Sequence, residues 1–402
     1  MKRKSSNLIV FDIGSSKISA AAANIDNGVV SVLAQTIHAS EGIKSGMIIN
    51  MELAEASIVG TIYDLEKNCD KSIKQAAISL SGANVKSYYV GQKIRISGNI
   101  VTNIDLKRLI AKALAEFKTA GKEIIHYFPV EFRLDNNQIV DNPLELHATE
   151  ISCQLHIIAA DSSMIMNLVR CFGKNQVEVN DIILAIYASS LAVLTEDEME
   201  LGTTIIDMGA STTSYAIILK GKLLYTNSVP IGGHDITLSL AKKLSISPKE
   251  AEKLKILYGN AVPKMLLKDA IIELTNQNRS VTSAQISNII APLIEDIFNT
   301  IKKQITDLSL DHLAANQVVI TGGASALPGI KISANNIFQK QIRIAKYESI
   351  SGFVESYNPL SHSTLIGMIK LKTSSLLTKY GKDYIENSGW FKKMFLWIKN
   401  NI

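Results

Sequence analysis

Cysteine is scarce in this chain of 402 residues. Cys69, Cys153 and Cys171 are scattered, odd in number and without the spacing of a metal site. That speaks against a disulfide framework and for reduced thiols. The seven histidines form no close pair at ligand spacing, which argues against a structural metal. Long apolar runs are also missing: no stretch of about 18 such residues occurs, so no membrane-spanning helix is expected. The basic start, Met1 to Asn7, leads into an apolar run of only Leu8 to Phe11, too short for a signal-peptide core. The chain is therefore expected in the cytoplasm.

Net charge of one sign is absent from most of the length. The total is +5, and residues 370 to 402 account for all of it, with seven lysines against Asp383 and Glu386. A body with as many acids as bases argues against a nucleic-acid-binding surface. Hydrophobic residues make up 47% and charged residues 20%, the mixture of an ordinary globular protein, and the length calls for two or more domains.

What is present is a repeated template. Val10-Phe11-Asp12-Ile13-Gly14-Ser15-Ser16-Lys17-Ile18-Ser19 and Ile205-Ile206-Asp207-Met208-Gly209-Ala210-Ser211-Thr212-Thr213-Ser214 align without a gap. Each has an apolar strand ending in Asp, then an apolar residue, Gly, small or hydroxyl residues and a second apolar strand. Such a hairpin can surround a phosphate with backbone N–H groups and hydroxyls, with a carboxylate beside it for hydrated Mg²⁺. One copy alone would pass for a tight turn. Two copies at domain-scale separation predict two similar α/β domains, each offering a hairpin to a nucleotide between them.

The rest of the chain fits around this pair. Helical periodicity runs over Glu52 to Cys69, Met164 to Gly173 and Ala185 to Leu194, and Ala76 to Leu80 reads as a buried strand. Residues 87 to 156 read as an inserted α+β module. Strands Lys93 to Ile96, Val130 to Leu134 and Ile151 to Leu155 flank a helix near Asp105 to Phe117, and Ile157 to Ala160 returns to the main pattern. Helices are expected at Asp235 to Leu244, Ser247 to Tyr258 and Thr282 to Thr306. A last buried strand, Val318 to Thr321, runs into Gly322-Gly323-Ala324-Ser325, where a Gly pair lets a ligand ring approach the backbone. Taken alone, that turn is better explained as a plain strand-to-helix connection.

Two Asp-x-Gly hairpins followed by Thr321-Gly322-Gly323-Ala324 are the phosphate-1, phosphate-2 and adenosine pattern of the actin, Hsp70 and sugar kinase superfamily. Within it the chain resembles the bacterial cell-division FtsA family over essentially its whole length. The resemblance is carried by Leu80-Ser81-Gly82, His126-x-x-Pro129-x-Glu131, Asn142-Pro143, Ala188-Ser189-Ser190, Leu194-Thr195-Glu196-Asp197-Glu198 and Leu201-Gly202. It implies a two-domain α/β actin-like ATPase fold with a small inserted α+β subdomain, 1C, and a C-terminal amphipathic helix. Domain 1A would comprise 6–86, 157–200 and 340–372, subdomain 1C 87–156, domain 2A 201–232 and 313–339, and helical subdomain 2B 233–312. A linker would span 373–389 and a membrane-targeting helix 390–402.

The resemblance also implies ATP and Mg²⁺ as ligands. Asp12 and Asp207 would hold Mg²⁺ through water, with Gly14, Ser15, Ser16, Lys17, Gly209, Ala210, Ser211 and Thr212 at the phosphates. Glu252 and Lys255 would contact ribose and adenine, although a solvated helix face explains them equally well. Gly322, Gly323 and Ala324 would line the purine, and Gly322→Val is expected to exclude adenine while sparing the fold. The family's second loop usually reads Gly-Gly-Gly-Thr. Here Gly209-Ala210-Ser211-Thr212 carries two extra β-carbons, expected to crowd the loop. Ser15 and Ser16 in the first loop show the same chemistry, so binding is expected to survive in weakened form. The residue that orients the attacking water in actin-like ATPases falls near Ala185-Ile186-Tyr187, where no Gln or Glu is found. At most a slow ATPase is expected, so ATP would serve polymerisation.

The tail adds a second signal. At 100° per residue, Trp390, Phe391, Met394, Phe395, Trp397, Ile398 and Ile402 share an arc of about 160°, with Lys392, Lys393 and Lys399 opposite. Leu396 and Asn401 break the pattern. A basic face and aromatic anchors fit the surface of an anionic membrane. The resemblance implies self-association into filaments under the inner membrane at the division site. FtsZ would dock on 233–312, around Arg279 to Ile305, and later divisome proteins on 1C. The alternatives are a PilM-like pilus-assembly scaffold and a superfamily small-molecule kinase. The first is not expected to end in a lipid-binding helix, and the second lacks a visible catalytic base.

Overall fold

The computed structural model describes residues 6–373 apart from 27–28, 136, 267–268, 275–278, 314–316 and 356–357. The expected linker and amphipathic helix, 373–389 and 390–402, fall outside the described residues beyond Thr373.

Two five-stranded sheets share one topology. The first runs Val29–Ala39, Lys17–Asp26, Ser6–Ile13, Gln75–Leu80, Glu178–Leu184. The second runs Lys222–Val229, Thr213–Leu219, Thr203–Met208, Gln317–Thr321, Gln341–Ile344. In each, the first three strands form an antiparallel meander and the last two join in parallel. The central strands of both are apolar on both faces because helices cover them, with Val10, Phe11, Ile205 and Ile206 fully buried. The repeat seen in the hairpins thus extends through whole sheets.

The second sheet corrects one boundary. Gln341–Ile344 pairs in parallel with Gln317–Thr321 after the crossover helix Ile330–Phe338. The segment from 340 to 344 therefore completes the second sheet instead of opening the return to the first. The strand is short and buries chiefly Ile342, so it carries little signal of its own.

Two buried helices join the bodies. Ala185–Val193 leaves the first sheet and touches Thr203–Met208 of the second, and Ser363–Thr373 packs across it. Their crossing lies beneath the cleft between the sheets.

The inserted module is a four-stranded antiparallel sheet, ordered Lys86–Arg95, Glu150–Asp161, Lys122–Leu134, Gln138–Val140, with the helix Asn103–Glu116 against it. Thr102 and Asp105 start that helix with a reciprocal capping box. Its strands are longer than the sequence implies. Lys122–Leu134 runs through Pro129 at a bulge opposite the Gln154/Leu155 step, because proline donates nothing to the ladder. Glu150–Asp161 is continuous, so Ile157 to Ala160 extends an insert strand and is not a separate return strand. The module meets the edge of the second sheet, where His156 Nδ1 bonds the Leu223 carbonyl at 2.7 Å and Ser87 Oγ donates to the Thr226 carbonyl at 3.0 Å.

The region 233–312 is mainly helical, with Gly233–Leu244, Pro248–Tyr258 and Ser283–Asp307. Thr282 and Gln285 box the start of the longest, which buries Ile286, Ile290, Ile294, Ile297, Ile301 and Ile305 along one stripe. A short ribbon, Ile271–Glu273 with Ser280–Thr282, is the one strand pair in it among the described residues.

Candidate functional site

The two hairpins turn in the same way. Gly14 N–H donates to the Lys17 carbonyl at 3.1 Å and Gly209 N–H to the Thr212 carbonyl at 2.9 Å, which leaves two-residue loops Ser15-Ser16 and Ala210-Ser211. Neither Ala210 nor Ser211 has a positive φ. The β-carbons that depart from an all-glycine loop therefore cost no backbone strain, contrary to the expected crowding. Ser211 instead puts its hydroxyl to use across the cleft. It donates to Ser15 Oγ at 2.6 Å and accepts from Ser45 N–H at 2.8 Å.

The hairpins face a cavity of about 1290 Å³, larger than the ~300–1,000 Å³ of most small-molecule sites. Asp12, Gly14, Ser15, Ser16, Lys17, Asp207, Gly209, Ala210, Ser211, Thr212, Glu252, Lys255, Gly322, Gly323 and Ala324 all line it. Residues drawn from four separate stretches of sequence thus meet at one place.

Electrostatics at its floor are dominated by two carboxylates. Burial raises Asp12 above the ordinary carboxylate range, and the Ser79 hydrogen bond and Lys17 offset part of this. Burial pushes Asp207 up to about 6. The bond from Ser189 works against the rise, and the charge on Asp12 adds to it. Two deep, mutually repelling carboxylates form a place for a cation, and hydrated Mg²⁺ suits oxygen ligands of this kind. Lys17 is held below its usual value by burial, partly restored by Asp12, and donates to Ser361 Oγ at 2.7 Å.

On the other wall, Lys255 Nζ donates to Glu252 Oε2 at 2.7 Å and to the Gly233 carbonyl and Thr237 Oγ1, both at 2.9 Å. The pair is tied to the start of the helix Gly233–Leu244 and is no free solvated face. That helix start also closes on the second hairpin, with Gly233 N–H to the Gly209 carbonyl at 2.9 Å and His234 N–H to the Ala210 carbonyl at 2.7 Å. Gly233, His234, Thr237, Asn358 and Ser361 line the cavity without having been anticipated. Asn358 and Ser361 arrive at the turn that leads into the helix Ser363–Thr373, far along the chain.

Gly322 lines the cavity and also has a packing role that the sequence does not suggest. Its φ is +89°, and a β-carbon there would lie 2.3 Å from Asp207 Oδ1 and 2.5 Å from the Met208 carbonyl. It keeps the second carboxylate in place by lacking a side chain, so bulk at 322 cannot spare the fold. Gly322→Ala is expected to cost roughly 2 kcal/mol or more, read as a lowered melting temperature without any ligand. A variant as stable as the wild type would refute the tight packing. Gly323 has room, with ordinary contacts to Ser361 and Asn358.

The place of the water-orienting residue is apolar. Ala185 and Ile186 line the cavity, and Tyr187 packs against His126 and Phe128. Among the described lining residues there is no Gln, and the single Glu is Glu252, held by Lys255.

Comparison with known proteins agrees with this geometry. Residues 204–367 match the sequence model of "Cell division protein FtsA", and residues 82–159 match that of the "SHS2 domain inserted in FTSA". The cell division protein FtsA of Borreliella burgdorferi is 30% identical over 97% of this chain and 99% of its own length. Among solved structures, the PilM-PilN type IV pilus biogenesis complex superposes with a TM-score of 0.65 at 13% identity, covering 92% of this chain and 99% of that one. MreB5 of Spiroplasma citri bound to ADP does so with a TM-score of 0.53 at 16% identity, covering 95% and 99%. At those identities the structures establish the actin-like fold alone. The near-full-length match to a cell-division protein, with the inserted domain in its place, establishes more: this chain belongs to the FtsA family of cell-division proteins.

Proposed function

We propose that this protein binds ATP with Mg²⁺ in the cleft, polymerises beneath the cytoplasmic membrane at the division site and tethers FtsZ to it. The observation that carries the nucleotide reading is the meeting of both hairpins and the Gly322 turn at one cavity. Asp12 and Asp207 would anchor the hydrated cation, and the loop N–H groups with Lys17 would bind the phosphates. When bound, Mg²⁺ would supply charge neutralisation for the polyphosphate. The apolar Ala185-Ile186-Tyr187 position supports slow turnover, so nucleotide would set the relative position of the bodies in a filament. FtsZ would dock on the helical region 233–312, most directly 279–305, and later division proteins on the inserted module.

Membrane attachment falls to residues 390–402, on the pattern of their sequence. No described helix is long and apolar enough to cross a bilayer. One tail of 13 residues pays about 1 kcal/mol per residue in ordering, which cancels much of its apolar gain. Many tails on one filament would bind together through effective concentration.

A pilus-assembly scaffold is the second reading, favoured by the likeness to the PilM-PilN complex. The tail separates the two. Replacing Trp390, Phe395 and Trp397 together by Glu should release the protein from anionic liposomes in co-sedimentation while leaving ATP binding unchanged. The variant should still bind FtsZ in solution and fail to carry it to the liposomes. Undiminished sedimentation would overturn the membrane reading, and no binding to FtsZ by the wild type would favour the scaffold.

A further inference from the structure

We propose that Ser79 and Ser189 are positioning residues, which fix the carboxylates of Asp12 and Asp207 in the orientation that receives a hydrated Mg²⁺. The proposal rests on the nucleotide reading above and adds two residues that lie behind the site.

Both serines are buried, at 1% and 0% exposure, and neither lines the cavity. Ser79 Oγ donates to Asp12 Oδ1 at 2.8 Å and accepts from Ile13 N–H at 2.8 Å. A carboxylate oxygen can only accept, so the direction of the hydroxyl is fixed. Ser189 Oγ donates to Asp207 Oδ2 at 2.7 Å, which makes the Thr364 hydroxyl, 3.0 Å away, its donor. Each Asp thus has one oxygen held by a buried hydroxyl, and both carboxylates line the cavity. Hydrogen bonds to a charged group are about twice as strong as neutral ones and narrow the rotamers available to it.

The two arrangements arise differently, although the sheets match. Ser79 stands on the strand parallel to that of Asp12, one residue beyond the Phe11–Ile78 pair. The corresponding place opposite Asp207 is Thr321. Thr321 Oγ1 is 2.6 Å from Ser363 Oγ and is engaged there. The hydroxyl for Asp207 comes instead from the helix Ala185–Val193, which joins the two bodies. Two unrelated elements thus supply one hydroxyl each to the two cation-facing carboxylates. The neighbouring Ser190 shows what an ordinary buried serine does here: it donates to the Tyr187 carbonyl at 2.6 Å.

The test measures ATP affinity of the full chain by titration, once in EDTA and once with excess Mg²⁺. Ser79→Ala and Ser189→Ala should each reduce the gain from Mg²⁺ about tenfold, while affinity in EDTA changes less than about twofold, within one ordinary neutral bond. Ser79→Thr and Ser189→Thr, which keep the donor, should restore the gain. Ser190→Ala should lower the melting temperature and leave the gain intact. A wild-type gain in both Ser→Ala variants, or an equal loss with and without Mg²⁺, would overturn the proposal. Should Ser79→Ala fail to fold because Ile13 N–H loses its acceptor, the Ser189 pair decides. No Mg²⁺ gain in the wild type would overturn the nucleotide reading itself, and the proposal with it.

Discussion

Asp207→Asn is expected to make the nucleotide-free protein more heat-resistant and, in the same molecule, to remove its Mg²⁺-dependent nucleotide binding. The carboxyl of Asp207 stands at about 6 in the folded protein against an ordinary 3.8, chiefly through burial. Its proton is therefore bound more tightly folded than unfolded. Stability from that proton is present below the unfolded value and is lost as pH rises through about 6, so at neutral pH the charge costs on the order of 2 kcal/mol. Asn keeps the acceptor for Ser189 and removes the charge. The melting temperature should rise by roughly 3–6 °C at neutral pH. Near pH 4 the difference should vanish, because the wild type is then protonated as well. Nucleotide binding by the wild type should weaken as pH falls below about 6, and Asp207→Asn should lack the Mg²⁺ gain at every pH. A variant melting at or below the wild type at neutral pH would show that the carboxylate is not strained in the empty cleft.

What was legible in the sequence is what short-range pattern encodes. Each hairpin writes its strands, its Asp and its turn within ten contiguous residues, so the duplicated sheets and the cleft between them could be inferred. Ser247-Pro248 and Thr282 with Gln285 mark helix starts for the same reason, since a cap and its partner lie within one turn. Tertiary dependence hid the rest. Gln341–Ile344 joins the second sheet because Gln317–Thr321 offers an open edge, which its own four residues do not announce. Lys17 meets Ser361 across 344 positions. Gly322 reads as an adenine neighbour, and only the folded chain shows that its missing side chain makes space for Asp207. The Ala210-Ser211 departure looked like crowding because its benefit, the Ser211 bonds to Ser15 and Ser45, crosses from one body to the other.

Gly367→Ala should be among the most damaging single-methyl changes in the described chain, against the rule for helices. Gly367 sits inside the helix Ser363–Thr373, where helix propensity alone favours Ala over Gly by about 1 kcal/mol. A β-carbon there, however, would lie 1.7 Å from the Ala188 carbonyl oxygen and 2.3 Å from its carbon. Those atoms are backbone of the crossing helix Ala185–Val193, so no side-chain rotation can make room and the two helices must separate. Overpacking of well-packed interiors costs ~1–3 kcal/mol and occasionally more. Here the obstacle is main chain at both ends, so the upper part of that range applies and outweighs the propensity gain. The damage should reach the cleft, because Ser189 and Thr364 lie on the same two helices and hold Asp207 from behind. Thermal melting should show a net loss of at least ~2 kcal/mol, together with weaker Mg²⁺-dependent ATP binding. Gly98→Ala, in the inserted module with nothing within 4 Å of the added carbon, serves as the control and should melt like the wild type. Because packing and propensity oppose each other at 367, the sign of the change decides between them: a stabilised Gly367→Ala would mean that the helices do not meet as closely as the structure has them.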